Sequence, residues 1–86
     1  FEGMQLTFPN ITSDPELVLQ FALQNASNTS IDIISLSGQL VKSEDLGMMS
    51  SGSHHTIMDI SDLQPGMYLV SLNSQGSRLI KKLVIE

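Results

Sequence analysis

Two adjacent histidines, His54 and His55, are the first side chains in the sequence that could hold a metal ion. Imidazole is a common metal ligand, but neighbouring residues on a strand point to opposite faces, so the pair cannot grip one ion unless the chain bends there. The sequence has no cysteine and no third histidine that could complete a site. We therefore interpret the pair as part of a solvated loop and predict no metal site.

Oxygen-bearing side chains cluster between Asp59 and Asp62, at the spacing of two or three residues that calcium loops use. The segment lacks the glycine and the bidentate glutamate of an EF-hand loop. We therefore predict that it is the end of a strand followed by a turn.

Catalytic groups are equally hard to assemble from this sequence. Serine is abundant, but no Gly-x-Ser-x-Gly segment is present, which a nucleophile elbow would require. The acidic residues are scattered over predicted turns, so no two of them form an acid and base pair. We predict that the chain is not an enzyme, and we expect no catalytic residue and no cofactor.

The charge of the chain is unevenly distributed along it. The formal net charge is −5, which argues against a nucleic-acid partner because phosphate contacts need clustered basic residues. Residues 1–77 carry eight acids against Lys42 alone, whereas residues 78–86 carry three bases against Glu86. The bases either protect an edge strand from aggregation or form part of a recognition surface. No apolar run approaches the roughly 18 residues of a membrane span, so we expect none.

Turn signals recur about every eight to twelve residues, which is the spacing of short strands in a sandwich or barrel. Between the turns, Ile31 and Ile33 alternate with Asp32, and Tyr68, Val70 and Leu72 alternate with their neighbours in the same way. We therefore predict an all-β, immunoglobulin-like antiparallel β-sandwich of about seven strands, with Ile33 and Tyr68 buried. Residues 47–53, rich in Ser and Gly, are predicted to form a loop.

One segment allows two interpretations. Ser13, Pro15 and Glu16 are placed like a capping residue and the first turn of a helix over residues 15–24. Leu17, Leu19, Phe21 and Leu23 nevertheless alternate with other residues, and neither Gly nor a basic residue closes a helix. We favour a strand.

At 86 residues the chain is expected to form one domain, residues 1–86, around a single core. Without cysteine, burial of apolar side chains must hold it together. A chain that begins Phe-Glu-Gly is expected to be a piece of a longer secreted protein.

Four segments carry a resemblance to a known family. They are Phe8-Pro9-Asn10, the stretch from Ile31 to Val41 with its turn glycine Gly38, the stretch from Ile60 to Val70, and the basic strand Lys81-Lys82-Leu83-Val84-Ile85. In this order they resemble the type A C-terminal sorting domain of the type IX secretion system, also called the Por secretion system. The most specific match is the third, which fits the family pattern L-S-x-L-x-x-G-x-Y-x-V. The resemblance assigns a structural role to the motif residues Pro9, Asn10, Gly38, Leu63, Gly66 and Tyr68.

The resemblance implies a function in export. It implies that the domain directs an N-terminal cargo through an outer-membrane translocon and that a surface sortase then removes the domain. The partners would be that translocon, the sortase and the cargo, with passage through the periplasm to the cell surface or the exterior. We expect translocon recognition at Lys81, Lys82, Leu83, Val84 and Ile85.

Two other functions would fit a β-sandwich of this size. A carbohydrate-binding or adhesive module of a secreted protein would need exposed aromatics, and the chain has three Phe, one Tyr and no Trp. A structural spacer of immunoglobulin type would need a chain that continues past Glu86.

Overall fold

The structure is a computed structural model that describes residues 4–86, and it consists of strands, turns and bends. Within those residues there is no helix, and so none that is long and apolar enough to cross a membrane. The strands in chain order are β1 (Gln5–Thr7), β2 (Ile11–Thr12), β3 (Glu16–Leu23), β4 (Ser27–Ser35), β5 (Leu40–Met49), β6 (Gly52–Asp59), β7 (Gly66–Ser74) and β8 (Ser77–Ile85).

The strands form two sheets that pack face to face. The smaller sheet has the order β1-β3-β6, and the larger has the order β2-β8-β7-β4-β5. Every pair of neighbours is antiparallel except β2 and β8, which run in parallel. The predicted all-β sandwich is confirmed. The structure describes eight strands, where about seven were predicted. β1 and β2, with three and two residues, are too short to show a periodic pattern in the sequence.

The segment with two interpretations is a strand. In β3, Leu17, Leu19 and Phe21 point inward and are buried, while the residues between them are exposed. The polar residues before the strand form a bend, and the carbonyl oxygen of Pro15 accepts a hydrogen bond of 2.9 Å from the backbone N–H of Ile60. Burial on alternate residues is the pattern of a strand. A helix would have placed Leu17 and Leu19 on different faces.

The core lies between the inner faces of the two sheets. Ile33 and Tyr68 belong to it, with 0% and 9% of their surface exposed, as the alternation predicted. Each buried aliphatic side chain contributes about 1.5–3 kcal/mol, which is the main stabilising contribution for a chain without disulfides. The other buried members are Leu6, Leu17, Leu19, Phe21, Leu23, Ile31, Met58, Ile60, Val70, Leu72, Leu83 and Ile85.

The predicted loop over residues 47–53 is wrong. β5 continues to Met49 and β6 begins at Gly52, so only two serines link them as the chain passes from the larger sheet to the smaller. Gly47 and Gly52 have φ values of 71° and 109°, a region open to glycine but costly for other residues. Gly47 lies inside β5 at a register shift in its pairing with β4, and Gly52 is the first residue of β6.

The two histidines consequently lie within β6 and not in a solvated loop. They point to opposite faces, as expected for neighbours on a strand: His54 is half-buried and His55 is exposed. The His54 ring lies 5.4 Å from the ring of Phe21, and its Nε2 lies 2.7 Å from the carbonyl oxygen of Ser50. The predicted strand end and turn at Asp59–Asp62 is confirmed, since β6 ends at Asp59.

Candidate functional site

The outer edge of β8 is only partly covered by its neighbour in the sheet. β2 pairs with Val84 and Ile85 alone, so the earlier part of β8, from Arg78 to Lys82, faces no strand on that side within residues 4–86. This segment is an open edge near the C-terminus of the described chain.

The hairpin between β7 and β8 determines which backbone groups point to that edge. Gln75 and Gly76 form a two-residue turn with φ values of 53° and 77°, as in a type I′ hairpin, which makes Ser74 and Ser77 a hydrogen-bonded pair. The register continues without a shift, so the N–H and C=O groups of every second residue from Ser77 point to β7. Those of Arg78, Ile80 and Lys82 therefore point outward.

The hydrogen bonds at the covered end agree with this alternation. The N–H of Val84, the next residue in the outward-facing set, donates to the carbonyl oxygen of Asn10 at 2.7 Å. The N–H of Glu86 donates to the carbonyl oxygen of Thr12 at 2.9 Å. The segment from Asn10 to Thr12 thus acts as a short strand that closes one end of the edge.

Both lysines of the terminal strand are exposed, although they point to opposite faces of the sheet. Lys82 lies on the outer face. Lys81 lies on the inner face, and both lysines border an open groove of about 350 Å³. Thr7, Phe8 and Asn10 form the other wall of this groove.

The four basic residues differ in what they contact. The Lys42 ammonium lies 3.0 Å from Asp62 Oδ1 and donates to the carbonyl oxygen of Asp59, which joins β5 to the turn after β6. Arg78 Nε donates to Asn73 Oδ1 at 3.0 Å. Within residues 4–86 the ammonium groups of Lys81 and Lys82 have no hydrogen-bond or ion-pair partner. Both unpaired cations therefore lie along the open edge.

The other residues predicted for recognition are less accessible. Leu83 and Ile85 are 0% and 7% exposed and belong to the core, and Val84 is half-buried and pairs with Ile11 of β2. Their side chains hold the strand in place, so the accessible features of the segment are its backbone edge and its two lysines.

The motif residues of the resemblance lie at separate places in the fold. Gly38 and Gly66 have φ values of 90° and 154°, at the turn after β4 and at the start of β7. Leu63 packs against the core. Pro9 and Asn10 are exposed and precede β2, so the opening motif lies beside the terminal strand.

Sequence reasoning missed the contribution of Thr7 and Phe8 to the groove. A parallel contact between segments about seventy residues apart has no local signature, because neither hydrophobic period nor turn residues encode it. In the sequence, only the cluster of basic residues at 78–86 indicated the region that contains the groove.

The other chemically active side chains form no comparable site. No group of three or more His, Asp or Glu in residues 4–86 is placed to hold a metal ion. The Asp59 carboxylate accepts hydrogen bonds from the hydroxyl and the N–H of Ser61, at 2.6 and 2.9 Å, and these lower the pKa of Asp59. Its hydrogen bonds are those of a turn.

Residues 7–86 match the family described as the secretion system C-terminal sorting domain. The chain belongs to this family. It is a C-terminal sorting domain of the type IX secretion system, which implies interaction with the secretion machinery and export across the outer membrane to the cell surface or beyond. The family is one of sorting signals and is not normally catalytic.

Solved structures similar to the sorting domain in fold include the following two. The CARDB domain of a Pyrococcus furiosus protein, in complex with di-metal ions, has a TM-score of 0.56 and 11% identity, over 98% of this chain and 86% of that one. The sulfur carrier protein SoxY from Chlorobium limicola f thiosulfatophilum has a TM-score of 0.51 and 16% identity, over 96% of this chain and 75% of that one. These likenesses support the immunoglobulin-like architecture. No curated protein sequence matches the chain.

Proposed function

We propose that the outer-membrane translocon of the type IX system reads this sorting domain at its terminal strand, Lys81 to Ile85. The observation that carries the proposal is the pair of exposed, unpaired lysines beside an open strand edge. In this scheme the backbone and the ammonium groups are contacted directly, while Leu83 and Ile85 fix the strand from inside the core.

The proposal extends to the fate of the domain. Residues 1–86 are one C-terminal module of a longer secreted protein, and an N-terminal cargo travels with it through the periplasm. A surface sortase then removes the module, so the domain is a substrate in that step. Support for this sequence of events comes from membership of the family.

The experiment is a fusion of a reporter ahead of residues 1–86, behind a signal peptide, in a bacterium that has this secretion system. Replacing Lys81 and Lys82 together by Ala should lower surface delivery and leave the reporter in the periplasm, with an unchanged melting temperature because exposed charges contribute little stability. Replacing both by Arg keeps the charges and should preserve delivery. Full delivery by the alanine variant, at equal expression, would contradict lysine recognition.

An adhesive or carbohydrate-binding function has less support. Sugar platforms need exposed aromatic rings, but Phe21 and Tyr68 are buried and Phe8 is half-buried. The remaining aromatic, Phe1, lies outside the described residues. The outer face of the smaller sheet, near Gln20 and His55, has a shallow depression with no exposed Phe, Tyr or Trp among its described residues.

A further inference from the structure

The open edge of β8 has the geometry of an unfilled strand position. Arg78, Ile80 and Lys82 direct their N–H and C=O groups outward at regular spacing, over a segment about 14 Å long. Backbone groups in this arrangement can pair with any extended chain that reaches them.

The molecule already fills the adjoining position with a strand of its own. β2 runs parallel to β8 and bonds to its outward-facing groups at Val84. Upstream of β2 the chain leaves for β1 in the other sheet, and the groove between Phe8 and Lys81 opens where it departs. An added strand would continue the sheet beside β8 from the point at which β2 stops.

The side chains along the edge restrict what such a strand can be. Consecutive residues of an added strand point to alternate faces, so the residue opposite Lys81 would lie on the inner face of the sheet and the residue opposite Lys82 on its outer face. Two consecutive acidic residues would therefore meet both ammonium groups. The residue opposite Ile80, which is 46% exposed, would share the outer face with an apolar side chain.

We propose that the open edge of β8 binds an extended partner segment in which two consecutive acidic residues adjoin an apolar β-branched residue, and that this segment adds to the larger sheet beside β2. The proposal rests on the proposed sorting function for its biological setting, and it specifies the chemistry of the partner. Binding combines backbone hydrogen bonds with two cross-strand charge pairs.

A second copy of the domain is a poorer occupant of the same position. Pairing of two β8 edges would bring the basic residues of one copy close to those of the other, for example Lys82 to Arg78, and like charges opposite each other are destabilising. The domain as a whole is acidic, so attraction for an acidic segment is local to this edge. The lysines thus oppose pairing between copies and favour a partner of opposite charge.

The test uses synthetic peptides and amide hydrogen exchange of the whole domain, followed by NMR. Two blocked pentapeptides present the required pattern and end where β2 begins: Thr-Thr-Val-Glu-Glu for parallel binding and Glu-Glu-Val-Thr-Thr for antiparallel binding. With free peptide at about ten times its Kd, exchange at Ile80 and Lys82 should slow about tenfold. Exchange at Leu79 and Lys81, whose N–H groups already bond to β7, should change little.

Three controls separate strand addition from simple charge attraction. Either peptide with both Glu replaced by Lys should not bind. A peptide N-methylated at both Glu keeps the charges but cannot complete the backbone bonds, and it too should give no protection. In the domain, Ile80→Pro removes an outward-pointing N–H without removing a bond to β7 and should abolish binding, whereas Ile80→Thr should retain it.

Several outcomes would overturn the inference. One is the absence of any NMR chemical-shift change up to millimolar peptide. Another is a set of chemical-shift changes at the lysines without slower exchange at alternate amides. A third is equal binding of the N-methylated peptide. Protection that rises with protein concentration alone would assign the edge to a second copy. Export that depends on Lys81 and Lys82 would still support the sorting function, so the two proposals fail independently.

Discussion

The hydroxyl of Tyr68 donates a hydrogen bond to the backbone carbonyl oxygen of Gln64, four residues upstream, at 2.6 Å. The ring itself is 9% exposed and lies in the core between the two sheets. A tyrosine that ties its own strand to the preceding turn is a feature of many immunoglobulin-like sandwiches. This bond holds the turn before β7 against the core.

Two substitutions at Tyr68 should separate the ring from its hydroxyl. Tyr68→Ala removes the buried ring and should cost on the order of 3 kcal/mol of unfolding free energy. Tyr68→Phe keeps the ring and should cost about 1 kcal/mol. Urea denaturation of both variants measures the difference, and equal losses would mean that the hydroxyl contributes most of the stabilisation.

Ser27 and Ser74 hydrogen-bond to each other through their hydroxyls, and both are buried. Ser27 can also donate to the carbonyl oxygen of Asn25, at 3.4 Å, whereas Ser74 has no other side-chain partner in the part of the chain that the structure describes. Ser27→Ala should therefore destabilise the domain by about 1–3 kcal/mol, and Ser74→Ala by less.

The double variant Ser27→Ala with Ser74→Ala should lose less stability than the two single losses added together, since no hydroxyl is then left unpaired. Thermal melting of the wild type, the two single variants and the double variant gives the coupling free energy between the two hydroxyls. Strict additivity would show that the two hydroxyls do not depend on each other.

The pKa of Asp59 should rise toward its ordinary value in Ser61→Ala. The Ser61 hydroxyl is the main cause of the lowered pKa, followed by the Ser61 N–H and the positive charge of Lys42, while desolvation opposes them. A carboxyl with a lower pKa in the folded state adds stability above its unfolded pKa and loses it as the pH falls through its folded pKa. The pKa shift should be visible in a carboxyl-carbon NMR titration. Ser61→Thr retains a hydroxyl and serves as the control.

Deletion of residues 82–86 should unfold the domain as well as retain a fused reporter in the periplasm. The deletion removes Leu83 and Ile85 from the core, and the loss of two such side chains is comparable with the total stability of a small domain. Circular dichroism should show no cooperative melting of the truncated domain, whereas a variant that lacks only Glu86 should keep most of the stability of the folded domain. A folded truncated domain would place these residues outside the core. The lysine variants are therefore the better test of recognition.

Local patterns predicted the strands of this domain that span the core. Alternation over Ile31 and Ile33 and over Tyr68 and Val70 gave the inner faces of β4 and β7, because a half-buried strand has a period of two. In β3 the same alternation correctly predicted a strand, although Ser13, Pro15 and Glu16 resemble the start of a helix. Residues 47–53 were misassigned because glycine signals a loop in sequence but also permits the positive φ that bends a continuous strand.

The candidate site was predictable only in part. The cluster of bases identified β8, but alternation places Lys81 on the same face as the buried Leu83, and its exposure there depends on tertiary packing that no local pattern encodes. The parallel pairing of β2 with β8 was also out of reach, since a two-residue strand has no period.

The pairing of β2 with β8 makes the candidate site late to form. It joins segments about seventy residues apart, and the last strand is available only when nearly the whole domain has been synthesised. Contacts between such distant segments require costly loop closure and are slow to form. Neither the closed end of the edge nor the groove beside Phe8 can exist in a partly made chain. A partner that bound there would therefore meet its site only on a domain whose last strand had been made and paired.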